Sequence, residues 1–156
     1  LDELPKPAIL TAIPRKHAAS YVDGGQNKSI PLAWSGAPGT TQTFAIAMID
    51  TDPSALNFMH WIVLNIPVAT TSLAESTADG GMVSGAVQLK NDFMTMGYGG
   101  MGPPQGENHT YVTTVYALNG TVDAGNPSTY ITYSTFQSKI SSQIVAQGSL
   151  TGTFQQ

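Results

Sequence analysis

The chain has no cysteine among its 156 residues, which excludes disulfides, thiolate metal sites and a cysteine nucleophile. Charge is scarce as well. Asp, Glu, Lys and Arg together make 10% of the residues, well below the usual quarter, and Ser and Thr stand in their place. The net charge of −4 is spread thinly, with no basic run beyond Arg15-Lys16. A phosphate-neutralising surface for nucleic acid is therefore not expected. No apolar run approaches the ~18 residues of a membrane span and no lipidation signal is present, so a soluble chain is expected. Neither an internal repeat nor a linker divides it, and its length suits a single domain over residues 1–156 with an irregular lead-in over 1–12.

The low charge, the abundant Ser and Thr and the lack of an initiator Met favour an exported chain, periplasmic or secreted, over a cytoplasmic one. Three sequons begin at Asn27, Asn108 and Asn119 and matter only in a eukaryotic secretory pathway.

Glycine and proline are plentiful, and they concentrate in the stretch from Gly97 to Asn108. Gly permits positive φ and close backbone approach, while Pro fixes φ, so Gly102-Pro103-Pro104 reads as a stiff, tightly folded loop. It delivers His109 and Tyr111 to the head of a strand running to Leu118, with Tyr111, Thr113 and Val115 on one face. Earlier, Ile30 to Trp34 reads as a short strand, and Thr43 to Asp50 and Met59 to Ile66 as two strands buried on both faces. Val68 to Val87 reads as a long irregular excursion, and Val87 to Tyr98 as holding a short strand. Phe136, Ile140, Ile144 and Val145 fall at helical spacing, which predicts one helix over Tyr133 to Gln147, capped by Ser134 and ended by Gly148. Leu150 to Phe154 forms a last strand. Several short strands with one C-terminal helix and long loops predict a mainly β protein, an antiparallel sandwich.

Chemistry concentrates in Asp50-Thr51-Asp52, in His60 and in His109 with Tyr111. Period-2 geometry sets Asp50 and Asp52 on one side at the end of a buried strand, where carboxylates need partners. If the next strand pairs antiparallel, His60 comes near Asp52. The same residues also suit structural roles: an Asp before Pro caps turns, a His between Met and Trp can be a satisfied core residue, and a Tyr in a strand is ordinary. Met94, Met96 and Met101 can line an apolar pocket or fill gaps in the core.

In this order, several segments resemble the phosphatidylethanolamine-binding proteins, a family that includes the Raf kinase inhibitor-like proteins. They are Asn27 to Pro38, Phe44-Ala45-Ile46 leading to Asp50-Thr51-Asp52, His60 to Pro67, Asn91-Asp92-Phe93, and Tyr98 to Pro104 followed by His109 and Tyr111. The resemblance runs from about Ile13 to Phe154. It implies an antiparallel β-sandwich with a small anion pocket lined by Asp50, Asp52, His60 and His109, walled by Gly102-Pro103, with Tyr111 close by. It also implies ligands bearing phosphate or carboxylate, phospholipid headgroups among them. Two departures stand out. Asp50-Thr51-Asp52-Pro53-Ser54 replaces the family's usual Asp-Pro-Asp-Ala-Pro, and Thr110 replaces an arginine between His109 and Tyr111.

An anion bound beside two carboxylates needs a donor between them. The expected arrangement has Asp50 or Asp52 accepting from a histidine and raising its pKa, so that the imidazolium and loop N–H groups face the anion and binding strengthens toward mildly acidic pH. The leading expectation is thus a non-catalytic, cofactor-free binding module, acting as monomer or homodimer, for phosphate, phosphoethanolamine or carboxylate. One alternative is a protein-interaction inhibitor of a kinase or serine protease, with Val68 to Gly85 as the long candidate loop. Another is a metal-dependent hydrolase using the Asp/His cluster. No serine sits in a Gly-x-Ser-x-Gly elbow, which disfavours a Ser-His-Asp hydrolase.

Overall fold

The two most apolar runs of the sequence become neighbouring strands at the centre of one sheet. The computed structural model describes residues 2–3 and 12–156, so the expected lead-in lies almost wholly outside the described residues. In chain order the strands are β1 (Asp2–Glu3), β2 (Leu32–Ala33), β3 (Thr43–Asp50), β4 (Phe58–Pro67), β5 (Ser72–Leu73), β6 (Val87–Gln88), β7 (Asn108–Leu118) and β8 (Ile144–Gln155), with helix α1 (Tyr133–Ile140) before β8. A six-stranded sheet runs β1-β8-β7-β3-β4-β6, and β2 and β5 form a second, two-stranded sheet. Every pairing is antiparallel except β1 with β8.

Strand β3 shows why the large sheet is covered on both sides. Phe44, Ile46 and Met48 point into one core, with Trp34, Leu73 and Met101; Ala45 and Ala47 point into the other, with Phe136 and Ile140 of α1. Period-2 alternation of large and small apolar residues therefore feeds two layers. The first is roofed by the β2–β5 ribbon and the loops around Ala18 and Tyr98, the second by α1 and the segment after β7. The result is a mainly β, lopsided sandwich with one C-terminal helix, as the sequence predicted.

Strand β4 breaks its own alternation twice. Met59 belongs to the helix-side core and Trp61 to the opposite one, so an extra residue must lie between them. The register agrees: Met48 pairs with Trp61 and Ile49 with Met59, leaving His60 as a β-bulge. A second irregularity surrounds Asn65, which has φ of 58° and whose side chain exchanges hydrogen bonds with Val122.

Some expectations fail for identifiable reasons. The helix is half the predicted length: it starts under Thr132, whose hydroxyl accepts from Thr135 N–H, so Ser134 is not its cap. It ends at Ile140 because Ile144 onward is drawn into a strand paired along all of β7, where Gly148 lies opposite Val115 instead of ending a helix. Tertiary pairing overrides helical periodicity here. The last strand therefore begins six residues before the predicted Leu150. The excursion from Val68 is not irregular throughout. It contains β5, and Lys16 holds Glu75 at 2.6 Å. Met101 is core, whereas Met94 and Met96 are exposed.

The Tyr98–Met101 strip packs so tightly on the Arg15–Ala19 segment that a Cβ on Gly100 would lie 2.5 Å from backbone atoms of His17, Ala18 and Ala19. Backbone cannot yield as a side chain can. Gly100→Ala is expected to cost roughly 1–3 kcal/mol, whereas Gly39→Ala, with nothing within 4 Å, should leave stability within about 0.5 kcal/mol. Thermal melts of both variants check this, and equal melting temperatures would refute the tight packing.

Candidate functional site

Three strand ends meet at one end of the large sheet. Asp50, the last residue of β3, stands opposite Tyr111 of β7 on one side and Phe58 of β4 on the other. Thr51 extends the join, donating from both its N–H and its hydroxyl to Thr110 O. Period-2 geometry then places Glu107, His109 and Tyr111 on one face of the chain entering β7.

His109 is the centre of the charge cluster. Its Nδ1–H donates to Asp50 Oδ2 at 2.7 Å, and its Nε2–H donates to Glu107 Oε2 at 2.9 Å. Asp52 Oδ2 lies 3.7 Å from the same Nε2. Two ring nitrogens both facing carboxylates are satisfied together only by the imidazolium. Burial opposes that charge, but the bonds to Asp50 and Glu107 and the charges of Asp50 and Asp52 outweigh it, so the pKa of His109 is raised. Asp50 is 5% exposed and also accepts from Asp52 N–H at 2.9 Å. Asp52 turns outward and caps the 3-10 turn at Pro53–Ala55. Its carboxylate accepts from the Ser54 hydroxyl and N–H, which hold its pKa below the usual range, with His109 adding a smaller effect. Asp50 and Asp52 thus approach His109 from different sides.

His60 behaves oppositely. The bulge turns its ring among Phe58, Phe93 and Tyr111, with centroids 5.1, 5.4 and 5.2 Å away. Burial in this aromatic box lowers its pKa more than the bond to Gly99 and the charge of Asp50 raise it. Nδ1 donates to Gly99 O at 2.7 Å, which leaves Nε2 of the neutral ring as an acceptor. The carboxylates that act on His60 are Asp50 and, less strongly, Asp92.

Between these groups lies a cavity of about 220 Å³, lined by Asp50, Ser54, Ala55, Phe58, His60, Phe93, Gly102, Pro103, Pro104, His109 and Tyr111. Of the residues expected at a site, Asp50, His60, Gly102, Pro103, His109 and Tyr111 line it; Asp52 does not, and reaches the site through His109 Nε2, 3.7 Å from its Oδ2. Among the described residues no Lys or Arg lines it. The buried Tyr111 hydroxyl makes no hydrogen bond of good geometry among the described residues, and its pKa is pushed far up, by burial first and by the neighbouring Asp50 second. The loop wall is pinned by Glu107 N–H to Pro104 O and by Gly106 N–H to Gln156 O. Asn91 folds the turn that presents Phe93, accepting from Phe93 and Thr95 N–H and donating to Gly97 O. Sequence reasoning missed Glu107 and the rings of Phe58 and Phe93. The signal for Glu107 was its two-residue spacing from His109. Among the described residues, no group of three or more His, Cys, Asp and Glu side chains is placed to hold a metal ion.

The two histidines make opposite contributions to stability. For His109, whose pKa is raised, the stabilisation is complete below the ordinary histidine value of about 6.5 and is lost as pH climbs through the raised value. For His60, whose pKa is lowered, it is complete above about 6.5 and is lost as pH falls toward the lowered value. NMR titration of the ring signals should show His109 titrating above free histidine and His60 below it. Asp50→Asn should bring His109 down while His60 stays low; a His109 midpoint unmoved by that change would refute the Asp50 contact as its cause.

Comparison with known proteins agrees with this fold. The family described as phosphatidylethanolamine-binding protein matches residues 6–155. The UPF0098 protein YbhB of Escherichia coli strain K12 is 36% identical over 111 residues, covering 69% of this chain and 70% of YbhB. The crystal structure of E. coli YbcL, described as a member of the mammalian PEBP family, superposes with a TM-score of 0.85 at 30% identity, over 99% of this chain and 98% of that one. CT736 of Chlamydia trachomatis follows at 0.78 and 25%, over 99% and 97%. With its motifs in order, its fold shared with YbcL and the family match running nearly end to end, this chain belongs to the phosphatidylethanolamine-binding protein family.

Proposed function

We propose that the chain is a non-catalytic binding module whose cavity takes a small zwitterionic headgroup of the phosphoethanolamine type. The observation that carries this reading is the buried Tyr111 hydroxyl, which has no well-formed hydrogen bond among the described residues, in the wall of the same cavity as the clamped His109 imidazolium. An unsatisfied buried donor costs about 1–3 kcal/mol, and a ligand oxygen removes that cost. The electrostatics refine the choice of ligand. Asp50, Asp52 and Glu107 surround a single imidazolium, so a bare anion meets more like charge than opposite charge. A ligand that joins an oxyanion to an ammonium suits both signs. The His60 Nε2 acceptor offers a further place for an N–H or O–H donor. The volume suits a headgroup: it lies below the roughly 300 Å³ at which drug-sized ligand pockets begin.

Titration with O-phosphoethanolamine near pH 6 should move the His60, His109 and Tyr111 ring signals together and to saturation; ring signals unmoved at millimolar ligand would overturn the reading. Tyr111→Phe sharpens the test. It removes a group that is unsatisfied in the free protein, so the melting temperature should hold or rise, while affinity should fall roughly three- to tenfold, the worth of one hydrogen bond.

A further inference from the structure

Glu107 is half exposed, yet it closes the one ring N–H of His109 that a ligand could use. The two partners of that ring differ in kind. Asp50 is buried and is fixed by a second bond from Asp52 N–H. The Glu107 side chain is 52% exposed and follows Gly106, which has φ of 85°. Glu107 is therefore the displaceable partner.

Displacement has an electrostatic consequence. A ligand oxygen that takes His109 Nε2–H must move the Glu107 carboxylate aside, with Asp52 already 3.7 Å from the same nitrogen. A bare oxyanion then lies between two carboxylates, whereas a ligand that also carries an ammonium gives the displaced carboxylate a new partner. We propose that Glu107 is a tethered counter-ligand and the specificity-determining residue of the cavity: it occupies the His109 donor in the free protein and favours ligands that join an oxyanion to an ammonium over ligands that carry the oxyanion alone. This inference rests on the binding reading above and adds to it which residue sets the charge class of the ligand.

The test compares O-phosphoethanolamine with ethyl phosphate, which keeps the phosphate and the two-carbon arm and lacks the ammonium. Both are titrated at pH 7 into the wild-type chain and into Glu107→Gln, by calorimetry and by the His109 ring signals. The wild type should bind phosphoethanolamine more tightly. In Glu107→Gln ethyl phosphate should gain, so that the preference falls roughly two- to fivefold, the scale of one partly exposed charge pair. Glu107→Ala, which cannot bond His109 at all, should shift the preference the same way. If both ligands bind and their ratio is the same in the wild type and both variants, the binding reading stands and the role of Glu107 is overturned. If neither ligand moves the ring signals of any of the three proteins at millimolar concentration, the cavity reading and this inference fall together.

Discussion

Asp50 ends a strand of apolar neighbours, is itself 5% exposed, and can remain ionised there only if donors and a counter-charge reach it. The fold meets that demand from two directions. The chain turns sharply after Asp50 so that Asp52 N–H points back to it, and β7 enters beside it so that His109 can donate. The second solution needs the β3–β7 register in which Asp50 faces Tyr111. Slipping that register by one residue would send His109 to the far face of the sheet and leave the carboxylate buried without its cation. The arrangement of the cavity wall thus follows from the need to solvate one charge inside the protein.

The acidic balance of the site has the same origin. One imidazolium satisfies Asp50, but Asp52 and Glu107 then lie around it with, among the described residues, no cation of their own. The sequence-level expectation of a histidine whose pKa is raised by a neighbouring carboxylate matches His109, with Asp50 first among the carboxylates and Glu107 and Asp52 adding to it. Its companion, the expectation that the imidazolium turns a free N–H toward an anion, does not match. Both ring nitrogens already face carboxylates. His60, which could have supplied a second cation, is instead kept neutral by its aromatic box.

What could be read from the sequence was whatever depends on short-range pattern. The apolar runs gave β3 and β4 with nearly their observed ends, the turn-forming dipeptides gave the breaks, and the ordered motifs gave six of the residues that line the cavity. What could not be read depends on pairing partners. The stretch from Ile144 carries both a helical spacing and a strict alternation of Ala146, Gly148, Leu150, Gly152 and Phe154, all buried. Two of those five are glycines, so the alternation is invisible to a hydrophobicity count, and only the complete ladder with β7 decides for the strand. The bulge at His60 is hidden for a similar reason. In a run as apolar as Met59 to Ile66, a change of face leaves no mark on the pattern.

The last residue of the chain also takes part in the cavity wall: Gln156 accepts from Gly106 N–H and its side-chain amide donates to Pro103 O. Strand β1 joins the start of β8 at Ala146 and Gln147, the opposite end of that strand. For laboratory handling this makes the two ends of β8 unequal. An affinity tag or immobilisation linker attached at Gln156 would leave from beside the cavity wall and compete with its loop for those bonds. One attached at β1 lies at the far end of β8 and leaves the wall undisturbed.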